Sequence, residues 1–361
     1  MKTICFFNSI KSWGGGEKWH FEMASYLSLQ NFNVLFYLNK KSILNDKLKD
    51  ASIKKSYTSV NNYSYLNFLK VSEIARELKK NAVGVIVINS SQDMKLAGLA
   101  AKRAGVKHII YRRGSAIPIK NTFINRYFFS KIITNVLANS YATKETINAK
   151  NPFLFSKNKI TVIPNGIETQ EFLKDINHRN IKKNEVFTLG NLGRLVTQKN
   201  QVFLLKVAKE LKKEDISFKM IIGGEGKLKD FLFEKRKELN LEKEVDFIGF
   251  VNNPKEFMIQ LDVFLLSSLW EGFGYVIAEA MLCEKPIIAF NVSSNPELIT
   301  QGENGFLTPV NDVTDFVSKI KKIYFEQDLI QKLGDNGKRK IITEFDASLA
   351  RERFLNYIES L

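Results

Sequence analysis

The chain has 361 residues, which at about 150 residues per domain predicts two domains. Hydrophobic residues make up 44% and charged residues 25%, a composition that excludes collagen-like, mucin-like and wholly disordered proteins. Lys and Arg outnumber Asp and Glu by 54 to 38, and the net charge of +16 indicates either anionic partners or a solvated basic surface.

Targeting signals and cysteine usage indicate a cytoplasmic protein. No apolar run approaches the roughly 20 residues that a membrane-spanning helix needs, and the first apolar stretch ends at Asn8, too early for a secretory signal. Cys5 and Cys283 lie far apart in apolar surroundings, so we expect neither a disulfide framework nor a zinc site.

The first half of the chain alternates short apolar runs with amphipathic stretches. The apolar runs predict strands at 2–7, 33–38, 83–89, 107–112, 135–138 and 160–164. The amphipathic stretches predict helices at 17–30, 66–80, 94–104, 123–133 and 142–150. Strand followed by helix, repeated, is typical of a parallel sheet with helices on both faces.

The alternation restarts after a charged, Asn-rich stretch at 168–185, which we interpret as a linker. Strands are then predicted at 186–189, 219–222, 245–248, 263–267 and 286–289. Helices are predicted at 201–213, 228–239, 275–283 and 348–361. Two such α/β units would leave a cleft that the loops at the carboxyl ends of the strands face.

Two glycine-rich runs follow predicted strands. Gly14-Gly15-Gly16-Glu17 opens the first helix, where glycines let a ligand approach the backbone and free N–H groups attract an anion. The run has neither the Lys of a P-loop nor the dinucleotide spacing, so we interpret it as a ligand-facing loop. In Gly223-Gly224-Glu225-Gly226, Lys229 occupies the position of the last glycine of GxGxxG, which disfavours a nicotinamide or flavin site.

Charged residues mark the other loops of the second half. One strand-to-helix loop carries a guanidinium and an ammonium, in the segments Gly193-Arg194-Leu195 and Lys199-Asn200. The two charges either bind a diphosphate or are simply exposed to solvent at the start of a helix. Glu271 and Glu279 stand eight positions apart around Gly272-Phe273-Gly274-Tyr275. The glycines expose backbone N–H groups to phosphate, and carboxylates accept hydrogen bonds from sugar hydroxyls. The segment 162–168 predicts a strand followed by a glycine turn.

These five motifs, in their order along the chain, resemble those of the retaining glycosyltransferases of family 4. The GT-B fold of that family has two Rossmann-like domains facing a central cleft. The resemblance spans nearly the whole chain and includes the family's E-x7-E spacing at Glu271 and Glu279. It implies an acceptor-binding domain at 1–170 and a nucleotide-sugar donor domain at 171–345. It also implies that the terminal helix, 346–361, crosses back to the first domain.

The resemblance implies a role for each matching residue. Arg194 and Lys199 would hold the diphosphate, Glu271 would lie by the donor sugar, and Glu279 would bind ribose hydroxyls. Arg194, Lys199 and Glu271 are the implied catalytic residues. Further donor contacts are implied for Gly15, Gly16, Gly193, Gly224, Val251, Gly272, Phe273, Gly274 and Tyr275.

One departure concerns a histidine that many family members carry in the first domain. None of His20, His108 and His178 takes its place. The corresponding stretch contains Arg112, Arg113 and Ser115, which we expect to bind an acidic acceptor.

The implied reaction moves a sugar from a UDP- or GDP-linked donor to a hydroxyl of a glycan or glycolipid, with retained anomeric configuration, in bacterial cell-surface polysaccharide or lipopolysaccharide synthesis. No DxD-type metal motif is evident, so we expect no cofactor or metal. The acceptor would be a core glycan or a lipid diphosphate. The helix 123–133 could rest on an anionic bilayer at the inner face of the cell membrane, or pack on the sheet as an ordinary amphipathic helix.

Two other functions compete. A nucleotide-sugar epimerase or other GT-B enzyme would share the architecture. A basic nucleic-acid-binding protein would cluster Lys and Arg with aromatic residues, whereas the basic residues here are scattered.

Overall fold

A computed structural model describes residues 3–49, 51–174 and 185–361. The chain divides into two compact units: an N-terminal unit of Met1–Asn165 with Ser348–Leu361, and a C-terminal unit of Gly166–Ala347. Of the predicted linker at 168–185, the residues before Asp175 form a short helix, and 175–184 lie outside the described residues.

Each unit contains one parallel sheet. In the N-terminal unit the strands are β1 Thr3–Asn8, β2 Val34–Leu38, β3 Lys54–Tyr57, β4 Val83–Ile88, β5 His108–Arg113, β6 Asn135–Ala138 and β7 Ile160–Val162, in the order 3-2-1-4-5-6-7. In the C-terminal unit they are β8 Phe187–Leu192, β9 Phe218–Gly223, β10 Val245–Gly249, β11 Val263–Leu266, β12 Ile287–Phe290 and β13 Gly305–Thr308, in the order 10-9-8-11-12-13.

Helices connect the strands. They are α1 Gly15–Leu29, α2 Ile43–Lys47, α3 Phe68–Lys80, α4 Ser91–Ala104, α5 Phe123–Lys131, α6 Tyr141–Asn148, α7 Thr169–Leu173, α8 Gln201–Lys213, α9 Lys229–Glu238, α10 Pro254–Ile259, α11 Tyr275–Leu282, α12 Asn295–Leu298, α13 Val313–Phe325, α14 Asp328–Glu344 and α15 Ala347–Glu359. Within the described residues, none is both long and apolar enough to span a bilayer.

The two faces of the first sheet have separate cores, because successive strand residues point in opposite directions. Cys5 and Phe7 belong to the core that includes residues of α3, α4 and α5. Ile4 and Phe6 belong to the core that includes residues of α1 and α15. The α15 side chain Phe354 lies with its ring centroid 5.0 Å from that of Trp19, so the last helix packs within the N-terminal unit.

The sequence analysis does not predict β3, β13, α13 or α14, nor the short helices α2, α7, α10 and α12. Strands β3 and β13 are four-residue edge strands, too short to show a clear pattern. Helix α14 contains Gly334, which lowers helix propensity. A Cβ at Gly334 would lie 2.2 Å from the carbonyl oxygen of Glu284, so the close packing of α14 requires glycine at this position. The same glycine weakens the helical pattern in the sequence.

The strand orders fix where ligands can approach each unit. Neighbouring connections run in opposite directions between β1 and β4 and between β8 and β11. At such a switch point the loops at the carboxyl ends of the two strands separate and leave a crevice. The glycine run at 14–16 follows β1, whereas Arg194 and Glu271 follow β8 and β11.

Candidate functional site

The loops at the carboxyl edge of the second sheet are joined by backbone hydrogen bonds. The Gly193 N–H donates to the Gly223 carbonyl over 3.0 Å, and the Leu195 N–H donates to the Glu225 carbonyl over 3.0 Å. The Gly224 N–H donates to the Gly249 carbonyl over 2.6 Å. The loops after β8, β9 and β10 therefore form one supported surface.

Gly224 is required by this packing. Its φ is +137°, and a Cβ there would lie 2.0 Å from the carbonyl oxygen of Gly193. Val251, on the loop after β10, packs its side chain against Gly223, where a Cβ would lie 2.7 Å from its methyl carbon. Close loop packing thus accounts for Gly224, whose predicted donor contact stays a prediction.

Lys199 and Glu271 form a shielded ion pair across the switch point. The Lys199 Nζ lies 2.5 Å from the Glu271 Oε1, and the two side chains are 14% and 10% exposed. The Ser267 Oγ donates to the Lys199 carbonyl over 2.9 Å, which ties the loop after β8 to that after β11. The Gln198 Nε2 donates to the Trp270 carbonyl over 2.8 Å and adds a second tie. Both charges are therefore held by backbone anchored on neighbouring strands.

Arg194 lies on the same loop as Lys199 but is exposed. Its carbonyl accepts a hydrogen bond from the Gln201 Nε2 over 3.1 Å, which fixes the backbone. Among the described residues its guanidinium has no hydrogen-bond or ion-pair partner. A guanidinium on anchored backbone, without a protein partner of its own, suits an incoming anion.

Helix α11 begins beside Glu271. Gly274 precedes it with φ +85°, a conformation that favours glycine, and turns the N-terminal N–H groups of the helix toward the carboxyl edge. Phe273 is buried against Phe345, with ring centroids 5.7 Å apart, and anchors this turn. Glu279 is half-buried one turn after Tyr275. The predicted donor residues on the loops after β8, β9, β10 and β11 thus share one edge of the C-terminal unit, and Glu279 lies one turn into the helix that begins there.

The N-terminal unit holds a buried polar network that the sequence analysis missed. The Asn8 and Asn89 Nδ2 groups donate to the Glu17 Oε1 over 3.2 and 3.1 Å. Arg112 donates to the Asn89 Oδ1 over 3.2 Å and to the Asn165 Oδ1 over 2.9 Å. Asn8, Asn89 and Asn165 each end or follow a strand, a repeated signal that could have identified them.

The network packs against the glycine run that opens α1. A Cβ at Gly16 would lie 2.6 Å from the Asn89 Nδ2, so any other residue there would displace this amide from its present position. Gly15 is the first residue of α1, two positions before Glu17. The run is therefore packed against the network on one side.

Arg112 occupies a different position from that expected for an acceptor contact. It is only 3% exposed, and its guanidinium lies 4.8 Å from the Trp19 ring centroid. The half-buried Arg113 donates to the Ile117 carbonyl, and Ser115 is half-buried just beyond it. This geometry favours a positioning role for Arg112 and leaves Arg113 and Ser115 as the more accessible of the three predicted acceptor residues.

Asn89→Asp should destabilise the chain by about 1–3 kcal/mol. The new carboxylate keeps an oxygen for Arg112 but places an oxygen against the Glu17 carboxylate, where the wild-type amide donates over 3.1 Å. Adding Glu17→Gln returns a donor and the original net charge, so the double variant should regain most of the loss in chemical denaturation. A double variant no more stable than Asn89→Asp would contradict this account of the network.

The histidines are placed as follows. His20 is fully buried, with its ring centroid 5.4 Å from that of Phe6, and neither ring nitrogen has a hydrogen-bond partner among the described residues. Burial, and then the charge of Arg112, hold the pKa of His20 well below its ordinary value. His108 is half-buried at the start of β5, and His178 lies outside the described residues.

His20→Leu should reduce the loss of stability in acid. Because the folded pKa lies below the unfolded value of about 6.5, the unfolded chain binds the proton first. The folded state is therefore favoured above about pH 6.5 and loses stability through this residue as the pH falls below that value. Chemical denaturation at pH 7.5 and 5.5 should show a smaller decline for His20→Leu. Equal declines would contradict the prediction.

Comparison with known proteins agrees with this architecture. The model of Glycosyltransferase Family 4 matches residues 13–171, and that of Glycosyl transferases group 1 matches residues 173–340. A relative from Escherichia coli, the UDP-Gal:alpha-D-GlcNAc-diphosphoundecaprenol alpha-1,3-galactosyltransferase, is 25% identical over 88% of this chain and 86% of its own length.

Solved structures share the fold over the whole chain. A glycosyltransferase from Rickettsia africae ESF-5 gives a TM-score of 0.87 at 20% identity, covering 99% of this chain and 98% of that one. HepE from Anabaena, solved in complex with UDP, gives a TM-score of 0.83 at 20% identity and full coverage of both chains. The predicted fold class is confirmed. The chain belongs to family 4 of the glycosyltransferases and is a glycosyltransferase of the GT-B fold.

Proposed function

We propose that this enzyme transfers a sugar from a UDP-linked donor to a hydroxyl of a lipid-linked glycan, retaining the anomeric configuration. The observation that carries the proposal is the Lys199–Glu271 pair at the switch point, with Arg194 exposed beside it. The cations on the loop after β8 suit the diphosphate of a nucleotide sugar, and the carboxylate on the loop after β11 suits the hydroxyls of the sugar attached to it. The E. coli relative uses UDP-Gal and HepE binds UDP, which supports a UDP donor over a GDP donor.

The reaction leaves negative charge on the diphosphate as the glycosidic bond breaks. Arg194, Lys199 and the N-terminal N–H groups of α11 would stabilise that charge, and each such preorganised donor is worth about 10²–10³ in rate. Glu271 would orient Lys199 and accept hydrogen bonds from the donor sugar, and Glu279 would bind the ribose. The departing phosphate would take the acceptor proton on the same face, which retains the configuration.

We propose that catalysis needs no metal ion, since Arg194 and Lys199 supply the positive charge. Transfer should persist in EDTA. Loss of transfer in EDTA with recovery on added Mg²⁺ or Mn²⁺ would contradict this proposal.

We further propose that the C-terminal unit binds the donor and the N-terminal unit binds the acceptor. The E. coli relative acts on a diphosphoundecaprenol-linked sugar, which supports a lipid diphosphate acceptor in cell-surface glycan synthesis. Such an acceptor resides in a membrane, so the enzyme would associate peripherally with the inner face of the cell membrane. Arg113 and Ser115 would meet its anionic part.

The test combines binding and transfer. UDP should raise the melting temperature of the purified chain, because a ligand selective for the folded state stabilises it. With UDP-sugars and a prenyl-diphosphate-linked sugar, the product should be a glycoside with the donor's anomeric configuration, as read by NMR. A donor epimerised without transfer would indicate an epimerase, and no shift with any nucleoside diphosphate would contradict the proposal.

A further inference from the structure

An apolar groove lies on the outside of the N-terminal unit. It has a volume of about 620 Å³ and is walled by α3, α4, α5 and the turn before α3. Its lining includes Tyr65, Leu66, Phe68, Leu99, Phe123 and Tyr127. Leu66 and Phe123 are 67% and 76% exposed. An apolar groove bordered by such exposed large side chains is a candidate interaction site.

The groove lies in the most basic part of the chain. Residues 58–134 contain thirteen Lys and Arg against three Asp and Glu, an excess of ten in a chain whose total is +16. Of the three acids, Glu77 accepts hydrogen bonds from the Tyr37 and Ser56 hydroxyls and Asp93 is fully buried. In this segment, all of which the structure describes, Glu73 is the one exposed acid.

Basic side chains form the margin of the groove. Lys102 and Arg103 line it directly. The Arg103 guanidinium lies 4.5 Å from the Phe68 ring centroid, and the Lys95 ammonium lies 5.5 Å from that of Tyr65. The exposed Lys120, Arg126 and Lys131 lie on or beside α5. The aliphatic parts of these Lys and Arg side chains lie beside aromatic rings, while their charged ends lie at the rim of the groove. This arrangement suits a partner with an apolar interior and an anionic border.

We propose that this groove and its basic margin dock the enzyme on an anionic lipid bilayer. The inference rests on the proposed function, which requires the enzyme to reach a membrane-held acceptor, and names the surface that reaches it. Phe123, Leu66 and Phe68 enter the acyl–headgroup boundary, while Lys102 and Arg103 meet lipid phosphates. The groove accepts a lipid chain between the helices.

Charge argues for a bilayer over a second copy of this chain. Two copies joined through this face would bring two basic segments together, each with an excess of ten positive charges. An anionic bilayer supplies both the apolar interior and the opposite charge. The opposite face of the sheet is covered by α1 and α15, so the helices α3, α4 and α5 alone present this surface.

Vesicle sedimentation with the full chain tests the proposal. The wild-type chain should bind vesicles of phosphatidylcholine with phosphatidylglycerol and bind phosphatidylcholine alone weakly, with affinity that falls as salt rises. Phe123→Glu should weaken binding more than about tenfold. The matched control is Leu29→Glu at the end of α1, also highly exposed but outside the groove, and it should bind within about twofold of wild type.

A second pair of variants tests the charge. Lys102→Gln with Arg103→Gln should weaken binding about tenfold or more and flatten its salt dependence, whereas Lys40→Gln with Lys41→Gln should have little effect. All four positions are exposed, so folding should be preserved. Wild-type chain that fails to bind anionic vesicles at low salt, or groove variants that bind like wild type, would overturn the proposal. Self-association or binding to an acidic protein abolished by Phe123→Glu, without vesicle binding, would reassign the face.

The same variants separate this inference from the proposed function. Vesicle binding needs no sugar donor, and the thermal shift with UDP needs no membrane. Loss of docking in Phe123→Glu with an unchanged UDP shift is the expected result. If vesicles bind but UDP gives no shift and no sugar moves, the proposed function fails while docking stands. If UDP binds and vesicles do not, docking alone fails.

Discussion

Arg194→Ala should reduce sugar transfer by about 10²- to 10³-fold and leave the melting temperature unchanged. Arg194 is exposed and, within the described residues, its guanidinium is not engaged by any protein group. Removing such a charge changes stability by no more than about 0.5 kcal/mol. The substitution should instead lower the rate of sugar transfer, because Arg194 would no longer stabilise the departing diphosphate. Steady-state kinetics with a UDP-sugar and thermal melting of the same sample measure both quantities.

Two other variants give this prediction its contrast. Lys209→Ala removes an equal charge from an exposed position on α8 and should retain full activity. Lys199→Ala should lower both activity and melting temperature, because it leaves the Glu271 carboxylate shielded without its 2.5 Å partner. Arg194→Lys should recover part of the rate, since it keeps charge but loses the planar fork. Full activity in Arg194→Ala would remove Arg194 from the diphosphate site.

The C-terminal site could be predicted because its signals are local. Gly193, Arg194 and Lys199 stand within one loop, and Glu271 and Glu279 within one turn and helix. Two parallel sheets also follow from the alternation of apolar runs and amphipathic stretches. The contact between Lys199 and Glu271, 72 residues apart, required the knowledge that β8 and β11 are neighbours, which only the strand order supplies.

The N-terminal network could not be predicted, because its residues are far apart in the sequence. Glu17 lies on α1, Asn89 follows β4 and Arg112 lies on β5, and each amide alone is an ordinary residue at or after the end of a strand. Because Arg112 and Arg113 are adjacent in the sequence, the sequence analysis assigns both guanidiniums the same role, binding an acidic acceptor. The alternation of β5 instead places Arg112 on the face covered by α1, where it is buried beside Trp19, and leaves Arg113 half-buried on the opposite face. The role of a charged side chain here depends on strand facing rather than on residue type.

Gly224→Ala should destabilise the C-terminal unit by more than about 3 kcal/mol and abolish transfer. The new Cβ would lie 2.0 Å from the Gly193 carbonyl oxygen, and that oxygen belongs to backbone that cannot rotate away. The φ of +137° adds a backbone cost of about 1–3 kcal/mol for any residue with a side chain. Relief requires the loops after β8 and β9 to separate, which breaks the Gly193–Gly223 hydrogen bond and moves Arg194 and Lys199.

Gly302→Ala is the matched control for this prediction. Gly302 lies in the same unit with φ +76°, but a Cβ there would meet nothing within 4 Å. It should therefore cost only the backbone term of about 1 kcal/mol and leave transfer intact. Melting curves and kcat for the two variants separate steric contact from backbone strain. Equal melting temperatures for Gly224→Ala and Gly302→Ala would show that the loops yield, and would remove close packing as the reason for glycine at position 224.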